Sequence, residues 1–286
     1  MESYQSALCA DASWRRSIGL SVTDQDQPDE MFCLFPPRPE LPPLLLVGGM
    51  GPLAGAAAFR QACARFRNSR VIVLYQACSV PDRSTVILGE GRTDTPLSRG
   101  VAIKLAAAVR LAAELAAPAS QVARCIVACN SAHYFWRSLV DDLQQTTAQV
   151  RMISLVESSI EALQLHTCTR ALLLTTEGAR AGKVFSTPCR DAGIAFDEPS
   201  PALSLLAMST IYEGVKAMDE RRALVLGNEL FETVLRSRRH YDCILAGCSE
   251  LPLAIDLLRY RGSPAVAAFL SRVKIVDPLE EALCHA

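Results

Sequence analysis

The stretch that decides the fold is RCIVACNSAHYFW, residues 124–136. Its first half, residues 124–129, has the apolar pattern of a strand buried on both faces, and the aromatic pattern after it is typical of a helix. We predict that Cys129 ends the strand and that Asn130 or Ser131 caps the helix. A thiol at such a turn lies at the positive end of a helix dipole, which favours its thiolate form.

A second stretch, DCILAGCSELPL at residues 242–253, repeats this plan. An apolar run ends at Cys248, a hydroxyl residue follows, and a helical pattern begins. The chain therefore predicts a second thiol at the same kind of turn.

Strand-like and helix-like runs alternate along the chain from residue 44 onward, which predicts parallel sheets covered by helices on both faces. The predicted strands are 44–49, 71–76, 124–129, 151–155, 170–175, 242–247 and 273–277. The predicted helices are 53–67, 98–116, 133–145, 157–166, 203–217, 221–239 and 251–259. LLLVGGMG at residues 44–51 resembles LLLTTEG at residues 172–178, which indicates a duplicated lobe.

We predict an α/β protein of two pseudo-symmetric lobes, each a parallel sheet flanked by helices, with the active site in the cleft between them. Functional groups gather beyond the carboxyl ends of parallel strands, so facing lobes would place Cys129 and Cys248 on opposite walls. The first lobe is expected to comprise residues 44–153 plus 265–286, with the final strand returning to it, and the second residues 154–264. Residues 1–43 form an N-terminal extension with a Pro-rich linker, expected to be disordered or draped over the surface.

The composition indicates a soluble protein that does not bind nucleic acid. The 286 residues are 50% hydrophobic and carry a net charge of −1, with Lys and Arg scattered along the chain. No apolar run reaches transmembrane length, and the N-terminus lacks the pattern of a signal peptide. Eleven cysteines without a CxxC motif indicate free thiols in a reducing compartment, so we predict a cytoplasmic protein.

Several kinds of chemistry compete for the two cysteines. Cys129 and His133 have a spacing that could hold a metal, and His133 could serve as the base of a cysteine hydrolase. Both thiols could also be inert buried residues. The interpretation that uses both is proton transfer at a carbon acid, in which one thiolate removes a proton and the opposite thiol supplies one to the other face. This reaction needs no cofactor and no metal.

The chain resembles the aspartate/glutamate racemase superfamily, the cofactor-independent amino-acid racemases that use two cysteines. The resemblance covers the chain from Leu44 to the C-terminus. It rests on motifs in the family's order: Gly48-Gly49-Met50-Gly51-Pro52, Pro81-Asp82-Arg83, Cys129-Asn130-Ser131-Ala132-His133, Ile211-Tyr212-Glu213-Gly214-Val215-Lys216, Gly247-Cys248-Ser249-Glu250-Leu251-Pro252 and Asp277-Pro278.

The residues at two positions resemble those of the aspartate racemase branch. The glutamate racemase pattern has an acidic residue in the first glycine loop, where this chain has Met50. It also has a histidine soon after the second cysteine, where this chain has Glu250. The resemblance implies Cys129 and Cys248 as the acid and base and a homodimeric assembly. It also implies a set of substrate-binding residues: Arg83 and Lys216 for the side-chain carboxylate, Asn130, Ser131, Thr176 and Ser249 for the α-carboxylate, and Met50 and Gly51 in a tight turn beside the substrate.

Three alternatives stay open at this point. The same site with altered side-chain recognition would make a glutamate or broad-specificity acidic amino-acid racemase. Other members of the superfamily catalyse decarboxylation or isomerisation, so a dicarboxylate lyase or isomerase is a further possibility. The non-enzyme alternative is a ligand-binding or interaction module on the same fold. Glu250 could orient the Cys248 loop without touching substrate, and His133 is expected to be a satisfied helix histidine.

Overall fold

The computed structural model describes residues 29–36, 39–67, 69–91, 94–116, 122–144 and 150–286; residues 1–28, 37 and 38 of the predicted extension lie outside these ranges. The strands are β1 (Glu30–Leu34), β2 (Leu44–Gly48), β3 (Ile72–Gln76), β4 (Ala123–Val127), β5 (Val150–Ile153), β6 (Ala171–Thr175), β7 (Phe196–Asp197), β8 (Cys243–Gly247) and β9 (Lys274–Val276). The helices are α1 (Pro52–Phe66), α2 (Arg83–Glu90), α3 (Pro96–Ala116), α4 (Trp136–Gln144), α5 (Leu155–Leu165), α6 (Glu177–Ala181), α7 (Ser186–Asp191), α8 (Pro201–Ser209), α9 (Glu220–Arg236), α10 (Leu251–Arg261), α11 (Pro264–Arg272) and α12 (Pro278–Cys284), with a 3₁₀ turn at Ser131–Phe135 and a π-helical turn at Thr210–Val215. Among the described residues, none of the helices combines the length and apolarity needed to span a bilayer.

The continuous apolar strands follow from burial on both faces of each sheet. Along β2, Leu45 and Val47 enter one hydrophobic core, while Leu44 and Leu46 enter the core on the opposite face. Because successive side chains of a strand point to opposite faces, a strand covered twice needs apolar residues at every position. The predicted α/β fold class is confirmed.

The chain forms two sheets with the same internal strand order. The first has the order β1-β3-β2-β4-β5 and the second the order β7-β6-β8-β9. With the edge strand β1 set aside, both sheets place their first, second, third and fourth strands in the order 2-1-3-4, and these strands pair in parallel. This shared topology supports the duplicated lobe expected from the sequence, and it makes β4 and β8 equivalent strands.

The last strand does not return to the first lobe, so this part of the predicted domain division is wrong. β9 pairs in parallel with β8, with Cys243 opposite Lys274. The duplication explains the placement, because β9 is the fourth strand of its lobe as β5 is of the first. Only α12 crosses back, and its Leu279 and Leu283 pack in a core of the first sheet.

This crossing is reciprocal. α5, which follows the fourth strand of the first lobe, packs Ala162 and Leu163 into a core of the second sheet. α5 and α12 also contact one another directly. The exchanged helices hold the two sheets together, so the groups at their strand ends have a fixed relative position.

The described part of the N-terminal extension is ordered structure and not a draped arm. β1 pairs antiparallel with β3, from Glu30 opposite Gln76 to Leu34 opposite Ile72. Just before it, Asp29 accepts hydrogen bonds from the Tyr75 hydroxyl at 2.9 Å and from Ser79 N at 3.0 Å. The extension thus adds an edge strand to the first sheet.

Several short helices were not expected from the sequence. α6, α7, α12, α2 and α11 have five, six, seven, eight and nine residues. Elements of this length span too few turns for a 3.6-residue period to stand out from the sequence.

Candidate active site

One cavity lies at the carboxyl ends of the strands of both sheets. Cys129 follows β4 and Cys248 follows β8, and both thiols line it. The structure also brings every other predicted site residue to this cavity: Met50, Gly51, Arg83, Asn130, Ser131, Thr176, Lys216 and Ser249. Equivalent strands of the two lobes therefore contribute one cysteine each to a single site.

The turn after β4 differs from the predicted helix start. A 3₁₀ turn at Ser131–Phe135 precedes α4, and the Asn130 side chain makes no capping hydrogen bond. The Cys129 Sγ lies 3.5 Å from the Ser131 hydroxyl, and both residues are buried. Asn130 Oδ1 is buried without a partner among the described residues, so this acceptor is free to meet a ligand.

The second thiol has a different neighbour. Cys248 Sγ donates a hydrogen bond to Glu250 Oε2 at 3.1 Å. Burial raises the pKa of Cys248 well above its ordinary value, and the Glu250 carboxylate raises it further. The two thiols are thus unequal, because Cys248 faces a carboxylate and Cys129 faces a hydroxyl.

Glu250 also explains the glycine at position 51. A Cβ at Gly51 would overlap Glu250 Oε1, so a larger residue at position 51 would displace this carboxylate from its present position. Glu250 Oε1 is buried and has no hydrogen-bond partner within the described part of the chain.

Arg83 supplies a buried cation beside Cys129. It begins α2, which is capped by Asp82 through a 2.8 Å hydrogen bond from Thr85 N. Its Nη2 donates to Met50 O at 2.5 Å and its Nη1 to Pro81 O at 2.9 Å, while Nε finds no partner among the residues described. Burial alone would lower the pKa of Arg83, but the adjacent Cys129 and Asp82 outweigh it and raise that pKa.

Lys216 supplies a second buried cation from the other lobe. It follows the π-helical turn Thr210–Val215, a distortion that often occurs at functional sites. Its Nζ lies 4.1 Å from the centre of the Tyr212 ring, within the range of a cation–π interaction. Burial would lower the pKa of Lys216, yet Tyr212, Glu250 and Cys248 together raise it, so the side chain is an ammonium at neutral pH.

Two hydrogen bonds join the lobes at the cavity. Ser249 Oγ donates to Ala128 O at 3.1 Å, which joins the residue after one thiol to the residue before the other. Ser84 and Thr176 hydroxyls lie 3.5 Å apart across the same boundary. These two contacts fix the strand ends of the two lobes relative to one another at the cavity.

His133 has a structural role, which bears on the metal-site and cysteine-hydrolase alternatives. Its Nδ1 is 3.1 Å from Cys129 O, and its Nε2 accepts a hydrogen bond from Leu155 N at 3.0 Å. The ring stacks on Trp136 with a centroid distance of 4.5 Å, and burial lowers its pKa to about 4. Because both ring nitrogens are engaged by the backbone, His133 is unavailable as a metal ligand or as the base of a cysteine hydrolase.

Four polar residues of the cavity were not among the predicted site residues: Asp82, Ser84, Tyr212 and Glu250. Asp82, Ser84 and Glu250 are each adjacent to a predicted residue, and Tyr212 stands four residues before Lys216, all inside or beside a motif that resembles the racemase pattern. Their proximity to predicted residues in the sequence could have marked them as candidates, but the sequence does not show that their side chains face the cavity.

Comparison with known proteins agrees with this architecture. A family described as Asp/Glu/Hydantoin racemase matches residues 47–285. The fold is similar to that of Picrophilus torridus aspartate racemase, with a TM-score of 0.62 and 19% identity over 86% of this chain and 92% of that one. An aspartate racemase homologue from Pyrococcus horikoshii OT3 gives a TM-score of 0.53 at 17% identity, covering 86% and 97% of the two chains.

A glutamate racemase isoform from Bacillus anthracis has a similar fold as well, with a TM-score of 0.52 and 13% identity over 85% of this chain and 79% of that one. At these identities the structural likenesses establish the fold, and the family match extends over most of the sequence. The cavity with its two strand-end cysteines thus belongs to a protein of the Asp/Glu/hydantoin racemase family.

Proposed function

We propose that this protein is an aspartate racemase, which interconverts L- and D-aspartate by proton transfer between Cys129, Cys248 and the substrate Cα, without pyridoxal phosphate. The observation that carries the proposal is a single cavity that holds one thiol from each lobe together with two buried cations. A two-base racemase needs one proton carrier on each face of the carbon and positive charge for the carboxylates.

The unequal thiols suggest a division of labour. Because Cys248 donates its S–H hydrogen bond to Glu250, it is the protonated partner in the free enzyme. Cys129 lies beside the Arg83 guanidinium and the Ser131 hydroxyl. We assign proton removal in the first half-reaction to Cys129 and proton donation to Cys248, and the reverse reaction exchanges these roles.

The two cations account for an acidic substrate. Arg83 and Lys216 are 5% and 7% exposed, and we assign them to the side-chain carboxylate. Arg83 Nε is a buried donor without a partner among the described residues, and leaving such a group unpaired costs about 1–3 kcal/mol. A bound carboxylate would satisfy it through a charge-assisted hydrogen bond.

The remaining groups fit the amino-acid end of the substrate. Asn130, through its Nδ2 donor, Ser131 and Thr176 are assigned to the α-carboxylate together with Ser249, whose hydroxyl exchanges its bond to Ala128 O for one to the substrate. Met50 and Gly51 form the adjacent wall. The unpartnered acceptor Glu250 Oε1 is suited to the α-ammonium. The cavity thereby offers partners to every charged group of aspartate.

We further propose a cytoplasmic homodimer, as the family resemblance implies. The cysteines within the described residues are free thiols, in keeping with a reducing compartment.

The direct test is inversion in deuterated water. Purified protein with no added pyridoxal phosphate is incubated with L-aspartate, L-glutamate, L-asparagine and L-alanine, and products are resolved by chiral chromatography and mass spectrometry. We expect D-aspartate carrying one deuterium at Cα, formed faster than any other D-amino acid. Faster inversion of glutamate would overturn the substrate assignment, and inverted product that retains its protium would overturn the proton-transfer mechanism.

A charge-removing change at Glu250 should shift the pH dependence. Glu250→Gln keeps the shape of the side chain and removes the anion that raises the pKa of Cys248, so this pKa falls. We expect the limb of the kcat profile that reports Cys248 to move to lower pH by about 1–2 units, the usual effect of a neighbouring charge. Glu213→Gln, at an exposed carboxylate paired with Arg222, is the matched control and should leave the profile unchanged. Identical profiles for both variants would show that Glu250 does not act on Cys248.

A further inference from the structure

A second cluster of thiols lies at the opposite end of the second sheet. Cys168, Asp242 and Cys243 each offer one ligand atom, and these three atoms lie within 4.8 Å of one another. Cys243 is the first residue of β8, whereas catalytic Cys248 follows its last residue. Five residues at about 3.3 Å each place the cluster about 16 Å along the strand from Cys248, so it is separate from the active site.

We propose that Cys168, Cys243 and Asp242 bind a thiophilic divalent cation such as Zn²⁺ or Cd²⁺. Two thiolates and a carboxylate are a donor set that suits these ions. In a tetrahedral zinc site with bonds of about 2.3 Å, two sulfur ligands lie about 3.8 Å apart. The cluster therefore has to contract by no more than about 1 Å to close around the ion.

The carboxylate is already fixed in position by the backbone. Asp242 Oδ2 accepts from Thr169 N at 2.7 Å and from the Thr169 hydroxyl, and Oδ1 accepts from Arg170 N at 2.9 Å. Hydrogen bonds of this kind orient metal-binding carboxylates in proteins. These bonds also hold the loop that carries Cys168 against the start of β8.

One lone pair of the carboxylate is held by an exchangeable proton. Cys168 Sγ donates to Asp242 Oδ1 at 3.4 Å. A metal ion that displaces this thiol proton takes over the same lone pair, and the bonds from Thr169 and Arg170 remain. Cys168 and Asp242 are partly exposed, so the ion has a route in from solvent, and Cys243 forms the buried floor.

The charge balance is favourable. Two thiolates and one carboxylate carry three negative charges, a divalent ion neutralises two, and the Lys274 ammonium lies close enough to Cys243 to stabilise its thiolate. Coordination of a thiol to a metal ion releases its proton, so binding strengthens as the pH rises.

The test uses Cd²⁺ as the probe, because thiolate-to-cadmium charge transfer gives an ultraviolet absorption band. Reduced full-length protein carrying Cys129→Ala and Cys248→Ala, which removes the active-site thiols, is titrated with Cd²⁺ and followed by this band and by thermal unfolding. We expect saturation at one equivalent with a rise in Tm. Adding Cys168→Ser should abolish both responses, whereas Cys63→Ser, at a half-buried cysteine outside the cluster, should leave both unchanged.

Cys168→Ser is the informative variant because this side chain is partly exposed, so its loss should leave the fold intact by circular dichroism. A band of equal amplitude after Cys168→Ser, or no band at one equivalent in the protein with the cluster intact, would overturn the site.

Discussion

Cys129→Ser and Cys248→Ser are each expected to lower kcat for racemisation by about 10³-fold or more, within the range that a positioned acid or base contributes. The hydroxyl of serine is a far weaker acid than a thiol, so neither variant can carry the proton on the altered face. Racemisation by chiral chromatography measures the loss. Cys33→Ser, at an exposed cysteine on β1, is the control and should keep full activity.

The two variants should differ in a partial reaction. With Cys248 replaced, Cys129 can still remove a proton and return it to the same face, so one enantiomer of aspartate exchanges its Cα proton with solvent without inversion. With Cys129 replaced, the opposite enantiomer should exchange. Proton NMR in deuterated water follows both. Exchange of the same enantiomer by both variants would contradict thiols on opposite faces, and wild-type racemisation by either would contradict the two-base mechanism.

Arg83→Met is expected to lower kcat/KM for aspartate by about 10²–10³-fold, because one partner of a buried charge pair typically contributes 2–5 kcal/mol. Methionine preserves an unbranched side chain but removes the cation. Steady-state kinetics with aspartate measure the effect. The control is Arg110→Met. Arg110 is a half-buried residue of α3 that forms an ion pair with Asp142 of α4, so this variant reports the general effect of losing an ion pair.

Arg83 lies beside Cys129 as well as in the proposed carboxylate site, so the experiment has to separate two roles. Asparagine has the shape of aspartate without the side-chain charge, and its Cα proton exchange can be compared with that of aspartate. A loss much greater for aspartate supports carboxylate binding. Equal losses for both substrates would show that Arg83 acts through the Cys129 thiol instead. Thermal unfolding checks that the bonds to Met50 and Pro81 can be lost without loss of the fold.

Much of the fold could be read from local patterns. The apolar run at residues 44–49 matches β2 closely, since a strand covered on both faces must be apolar throughout. The run before Cys248 matches β8 for the same reason. Cys129 and Cys248 follow β4 and β8 in the chain, so their location beyond the carboxyl ends of these two strands could also be read from the sequence.

The placement of the last strand could not be read in this way. Lys274–Val276 is three residues long and carries no mark of the sheet it joins. β9 pairs with β8 in the second sheet, while α12, which follows it, packs on the first sheet. Both are contacts between segments distant in sequence, which local periodicity does not encode.

The cavity shows the same division. Residue order alone brought Cys129, Cys248, Arg83 and Lys216 into consideration, because strand ends and motifs are properties of the chain. Only the tertiary structure decided that Cys248 donates a hydrogen bond to Glu250 and that Lys216 lies over the Tyr212 ring. It also decided that both ring nitrogens of His133 are hydrogen-bonded to the backbone. These are matters of side-chain direction and of burial, and burial exists only once the two lobes have packed against each other.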